Sequence, residues 1–197
     1  MGALHRDQRR LLPSKARGVD RGVVDVWTIG HSTHTFDAFA ALLSAHSITQ
    51  VADVRTVPKS RRHPQFRIAA LAQSLPARGI AYAHVARLGG WRHADPGSPN
   101  TAWRNVSFRG YADYAGTHEF ADGLAQLREL AARGRTAMMC SEALWWRCHR
   151  RLIADRLVVD GDTVRHIDSA GRSSVHVLTP FAAVDVDGRL TYPAPSG

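Results

Sequence analysis

With 197 residues and two cysteines, the chain is long enough for one domain with a substantial core and too poor in cysteine for a disulfide-built scaffold. No stretch approaches the roughly 20 apolar residues of a membrane span, and the charges ahead of Val23 leave no apolar core for a secretion signal; a cytoplasmic protein without a membrane partner is expected. The net charge of +9 favours an anionic small molecule or nucleic acid, but residues 1–22 hold six Arg or Lys against two Asp, which leaves +5 for the remainder.

That asymmetry marks residues 1–22 as a basic, disordered tail ahead of a single α/β domain, 23–197. Val23 to Ile29 reads as a strand and Gly30-His31-Ser32-Thr33 as a turn. A helix opens at Thr35, with Phe36, Phe39 and Leu43 on one face. Thr49 to Val54 forms a second strand, followed by a polar loop to Pro64 and a helix around Ile68 to Arg78 that Gly79 closes. Ile80 to Val85 gives a third strand. Arg87 to Arg109 then breaks into glycines, prolines and aromatics, a loop long enough to be functional or unstructured. Phe120 to Ala132 is amphipathic and ends at Gly134. Arg135 to Met139 is a fourth strand, and a helix is expected from about Glu142 to Val159. Val164 to Ile167 is a fifth strand, and Asp187-Gly188 predicts a terminal hairpin. No repeat is evident. This alternation predicts a mostly parallel sheet with helices on both faces, joined by right-handed crossovers.

Such a sheet gathers its ligand-binding loops at the carboxyl ends of the strands, where His31, Ser32, Arg55, the Gly-rich loop, Cys140 and Glu142 would meet. The segment from Met138 to Arg151 concentrates both cysteines, an acid, an imidazole and three arginines. On a helix starting near Glu142, His149 faces inward with Glu142 on nearly the same line, so Cys140, Glu142 and His149 form a candidate catalytic set. Cys140 beside a helix N-terminus and cationic groups would be favoured as thiolate. The bland alternatives are an inert buried cysteine and a core histidine held by a carboxylate.

Arg55, Arg61, Arg62, Arg92, Arg104 and Arg150 could face the same crevice and clamp phosphate or carboxylate, or else pair with Asp53, Glu142 or Asp155. Trp91, Trp103, Phe108, Tyr111 and Tyr114 could stack bases or anchor the loop. Cys140, Cys148 and His149, with His31, offer ligands to zinc or iron, but adjacent residues on a helix diverge by about 100°, so no metal is expected. The residues identify no cofactor. The expectation is an enzyme acting on a phosphorylated or nucleotide-like anion, with His31, Ser32, Arg55, Arg104, Tyr111 and Arg150 binding the substrate. The alternatives are a nucleic-acid-binding module without turnover and a Cys/His metal-binding protein.

Gly30-His31-Ser32, Asp53-Val54-Arg55 with Pro58 and Ser60, Leu88-Gly89-Gly90, Pro99 to Arg104, Phe108 to Tyr114, and Cys140-x-Glu142 with Cys148-His149-Arg150 occur in this order. Together they resemble the domain of unknown function 488 family, from about Val26 to Ile167. The resemblance implies a compact α/β domain and no settled reaction. Asp53-Val54-Arg55 is also similar to rhodanese-like domains, whose catalytic cysteine follows a central strand; here Cys140 lacks their glycine-bearing loop.

Overall fold

Five apolar runs form parallel strands in a computed structural model that describes residues 22–58 and 61–195; the basic tail before Gly22, and Ser60, lie outside the described residues. These strands are β1 (Asp25–Gly30), β2 (Gln50–Asp53), β3 (Ala81–His84), β4 (Thr136–Cys140) and β5 (Thr163–Ile167). A short β6 (Ser173–Val175) adds an antiparallel edge, giving the order β3-β2-β4-β1-β5-β6. β4 is buried at every position, because it lies between β1 and β2 with helices above and below.

The helices divide between the two faces. α1 (Phe36–Ala45) and α2 (Ile68–Ser74) bury Phe39, Leu43 and Leu71 with Ile29, Val51 and Met139. α3 (Val106–Tyr114), α4 (His118–Arg133) and α5 (Arg150–Val159) bury Tyr111, Phe120, Leu127, Leu152 and Leu157 with Val26, Met138 and Val164. The single α/β domain expected from the alternation is therefore present, with the chain stepping β1-β2-β3 under one layer and returning through β4 to β5 under the other. A small hairpin, β7 (Ala183–Val184) and β8 (Leu190–Thr191), follows around Gly188. Among the described residues no helix is long and apolar enough to cross a membrane.

Two local expectations require correction. The stretch read as loop to Arg109 already enters α3 at Val106; the helix starts there because the Asn105 side chain accepts from the Ser107 and Phe108 N–H groups, a cap worth about 1 kcal/mol. The helix expected from Glu142 begins only at Arg150; before it runs an irregular segment with a 3₁₀ turn at Trp145–Arg147. Tertiary contacts override helix propensity there. His31 N–H and Ser32 N–H bond the Cys140 and Ser141 carbonyls at 2.9 and 3.0 Å, and the Trp145 indole stacks on the His166 ring at 3.9 Å. The segment also crosses the end of β1 so closely that a Cβ on Gly30 would fall 2.1 Å from the Glu142 carbonyl oxygen.

Candidate active site

The carboxyl ends of β1, β2 and β4 open onto a cleft with two lobes. The narrower, about 260 Å³, is lined by Cys140, Cys148 and His149 at its base, with Tyr111, Trp91 and Arg147 among its walls. The wider, about 560 Å³, reaches His31, Ser32 and His63. Arg55, Val57, Trp91, Ser141 and Glu142 line both, so the lobes are continuous.

At the base, Cys140 ends the central strand, Cys148 follows in extended conformation, and His149 sits immediately before α5. His149 Nε2 lies 2.9 Å from the Val54 carbonyl oxygen, which can only accept. Nε2 therefore bears the hydrogen, and in the neutral ring the Nδ1 lone pair faces Cys148 Sγ at 3.6 Å. Beneath them Arg150 is wholly buried; it donates from Nε to Cys148 Sγ at 3.4 Å and from Nη2 to the Glu142 carbonyl. No carboxylate among the described residues pairs with this guanidinium, although a buried charge without compensation costs several kcal/mol, of order 3–5. A thiolate on Cys148 would supply the missing negative charge. Burial opposes ionisation of Cys148, but the hydrogen bond from Cys140 and the charge of Arg150 outweigh it and bring its thiol down to about 6. Cys140, which donates that bond and is itself buried, is pushed up to about 11.

A second buried cation stands beside the first. Asp53, fully enclosed at the end of β2, takes Arg55 Nε at 2.8 Å and Nη2 at 2.5 Å, together with the Tyr82 hydroxyl at 2.8 Å. Arg55 Nη1 faces His31 Nε2 at 3.2 Å, so His31 carries its hydrogen on Nδ1 and donates it to the Ser32 carbonyl. Burial, then the Arg55 charge, lower the His31 pKa to about 4. The ring is neutral and stacks on Phe66 at 4.1 Å.

The geometry thus brings together Cys140, Glu142, His149, His31, Ser32, Arg55 and Tyr111, but assigns them unequal capacities. Glu142 does not orient His149: without the expected helix it lies exposed on the cleft wall, its carboxylate accepting from the Leu144 N–H at 3.2 Å. Arg55 is committed to Asp53. Tyr111 is buried, gives its hydroxyl to the Leu88 carbonyl at 2.8 Å and rests its ring against His149. Arg150 supports the sulfur from below rather than lining the cleft. Arg104 stands outside both lobes, exposed in the turn that leads to the Asn105 cap. The expected Cys140 thiolate is corrected to Cys148, because no helix starts at Cys140 and the arginine lies under the second sulfur.

Arg147, outside the expected site set, lines the cleft, and its guanidinium meets no hydrogen-bond or ion-pair partner among the described residues. Cys148 had been weighed only as a metal ligand, although its spacing from Arg150 already places a cation two residues away. Of the loop aromatics, Trp103 packs against Phe108, Phe181 and Tyr192 and so anchors the loop, whereas Trp91 is 78% exposed at the cleft rim.

The sequence model of the family described as Domain of unknown function DUF488 matches residues 35–157, more than half of the chain and including the whole cysteine-histidine segment. No curated protein and no solved structure matches.

Proposed function

The chain belongs to the Domain of unknown function DUF488 family, whose description assigns no reaction, and from the chemistry of the cleft we propose that it is an enzyme acting on a phosphorylated or nucleotide-like anion through the Cys148 thiolate. One observation carries this: the buried Arg150 guanidinium donates to Cys148 Sγ and, among the described residues, meets no carboxylate. Support comes from His149, whose Nδ1 stands within reach of that sulfur while the Val54 carbonyl fixes the ring, the arrangement of a nucleophile, a base and a group that orients the base. Arg147 is a cation on the wall with no partner among the described residues, and Trp91 an exposed plane at the rim, which suit the charge and the ring of such a ligand.

In the proposed cycle Cys148 sulfur forms a bond to the electrophilic centre, and the bond to the leaving group breaks with its electron pair. The Cys140 thiol proton, relayed by His149 Nδ1, passes to the leaving group. Water then displaces the sulfur, giving its proton back to the cluster and restoring the thiolate. The test is alkylation by iodoacetamide at neutral pH, mapped by mass spectrometry alongside turnover of a panel of phosphorylated compounds. Cys148 should label ahead of Cys140, anionic ligands should slow that labelling, and Cys148→Ser and His149→Ala should remove turnover while the fold persists. Slow, equal labelling of both thiols that no ligand affects would overturn the reading. Exposed Trp91 favours a second one, binding of single-stranded nucleic acid, which would survive Cys148→Ser and weaken steeply with salt.

A further inference from the structure

We propose that Cys140 Sγ, Cys148 Sγ and His149 Nδ1 also form a site for one soft or borderline cation, Zn²⁺ in the first instance, with its fourth coordination position open to the cleft. The three donor atoms lie within 4.8 Å of one another. Around a tetrahedral zinc ion, sulfur and nitrogen ligands stand about 3.5–3.8 Å apart. Cys148 Sγ and His149 Nδ1 already meet that spacing at 3.6 Å, so closing the set requires Cys140 Sγ to move by about 1 Å, within reach of a small side-chain rotation.

The surroundings of the donors match what a ligated metal requires. Hydrogen bonding of His149 Nε2–H to the Val54 carbonyl leaves Nδ1 as the free electron pair and holds the ring still, which is how metal-bound histidines are oriented. Arg150 donates an N–H to the Cys148 sulfur from the side away from the cleft, stabilising the anionic form that binds metal. The divergence expected of neighbouring residues on a helix does not apply, because Cys148 is extended (φ −128°, ψ 151°) and only the residues after His149 are helical. Two sulfurs and a nitrogen, with no oxygen donor in the set, select zinc or copper(I) over magnesium or calcium. All three residues line the narrower lobe, so water or an anionic oxygen can reach the remaining position. His31 is excluded as a fourth ligand, since Ser32 and Arg55 engage both of its nitrogens.

This inference rests on reading the cluster as the reactive centre of the cleft, because a bound ion turns Cys148 from a nucleophile into a ligand. The ion and any reagent that attacks sulfur must therefore compete.

The experiment is titration of the reduced, chelator-treated full chain with Co²⁺ and Zn²⁺. One Co²⁺ per chain should bind with thiolate-to-cobalt charge-transfer absorption, and Zn²⁺ should displace it. Zn²⁺ should slow iodoacetamide labelling of Cys140 and Cys148 together, and a chelator should restore the labelling. His149→Ala should weaken binding at least about tenfold, and Cys140→Ser with Cys148→Ser should abolish the charge-transfer band, with circular dichroism confirming the fold. Absence of the band when both thiols are reduced, or binding unchanged in the double variant, would overturn the metal site. Fast labelling of Cys148 without any cobalt band would sink this proposal and leave the thiolate enzyme standing; stoichiometric binding with an unreactive Cys148 in the metal-free protein would do the reverse.

Discussion

Two buried polar clusters built from similar residues lie in this domain, and they differ in how completely they are satisfied. Behind the sheet edge, Asp155 accepts from His176 Nε2 at 2.8 Å, from the Thr179 N–H and hydroxyl at 2.9 and 2.7 Å, and from the Tyr192 hydroxyl at 2.8 Å. Since a carboxylate only accepts, a neutral His176 ring fixes every remaining hydrogen in turn. His176 Nδ1 accepts from His166 Nε2–H at 2.9 Å, and His166 Nδ1 accepts from the Thr28 hydroxyl at 2.8 Å. The network joins β1, β5, α5 and the C-terminal segment, and each lone pair facing inward has its donor. At the cleft the arrangement is the opposite: Cys148 Sγ and His149 Nδ1 lie 3.6 Å apart beside Cys140 and line open space, over an arginine that meets no carboxylate among the described residues. Saturation, more than residue type, separates scaffold from chemistry here.

The sharpest way to break this contrast is at the closed network. Asp155→Ala removes the acceptor of four hydrogen bonds and should cost about 3–5 kcal/mol of unfolding free energy, read from urea titration. Tyr192→Phe should cost only about 1 kcal/mol and leave the labelling pattern of the cysteines as in the wild type. If Tyr192→Phe altered Cys148 reactivity as strongly as stability, the two clusters would not be separate units.

Next in size is the coupling between Cys148 and Arg150. Cys148→Ala leaves the guanidinium buried without its counter-charge, whereas Cys148→Ala combined with Arg150→Met removes both charges. The double variant should lose less stability than the sum of the singles, by at least about 1 kcal/mol. Additive losses would mean that the sulfur is not the counter-ion, and the functional reading would lose its main support.

Acid stability probes the neutral histidines on both sides of the comparison. Burial, with Arg55 next in weight, lowers His31 from 6.5 to about 4, and burial followed by the neighbouring His176 lowers His166 to about 2. Below pH 6.5 the unfolded chain takes up protons that the folded chain refuses, so the contribution to stability is complete above 6.5 and is lost as pH falls towards 4. Each histidine contributes at most about 1.4 kcal/mol per pH unit in that window. Urea titrations should show the decline, and His31→Gln should flatten it; a profile that His31→Gln leaves unchanged would remove His31 from this account.

Most of the scaffold was legible in the sequence because periodicity reports burial, and strands such as Thr136 to Met139 are buried on both faces. Gly79 takes the expected left-handed conformation, with φ of 73°, although it closes a 3₁₀ turn at Pro76–Arg78 that follows the end of α2 at Ser74. What could not be read was decided by contacts distant in sequence. The segment 142–149 has helical composition, but the end of β1 and the His166 ring hold it open, and that single change moves Glu142 off His149 and brings Cys148 Sγ and His149 Nδ1 together. The convergence of Cys140, His31 and Arg55 at one edge was visible from the alternation of strands and helices, which places all three at the carboxyl ends of parallel strands. The identity of the ionised sulfur was not, since it depends on Arg150 lying underneath.

The Gly89-Gly90 pair offers the finest test, because its geometry points to the histidine. A Cβ on Gly90 would lie 2.5 Å from His149 Nδ1 and 2.9 Å from Cγ, while one on Gly89 would strike Thr56. The imidazole cannot retreat without giving up its bond to the Val54 carbonyl or pressing on Tyr111, 5.1 Å away between ring centres. Gly90→Ala should therefore cost only about 1 kcal/mol of stability, the lower end for an overpacked site, yet displace Nδ1 from both sulfurs. Gly97→Ala, whose Cβ would meet nothing closer than 3.4 Å, serves as the control and should be near neutral. Slower Cys148 labelling and weaker cobalt absorption in Gly90→Ala alone would tie thiol reactivity to the position of this ring; unchanged behaviour in both variants would show that Cys148 is ionised by Arg150 without help from His149.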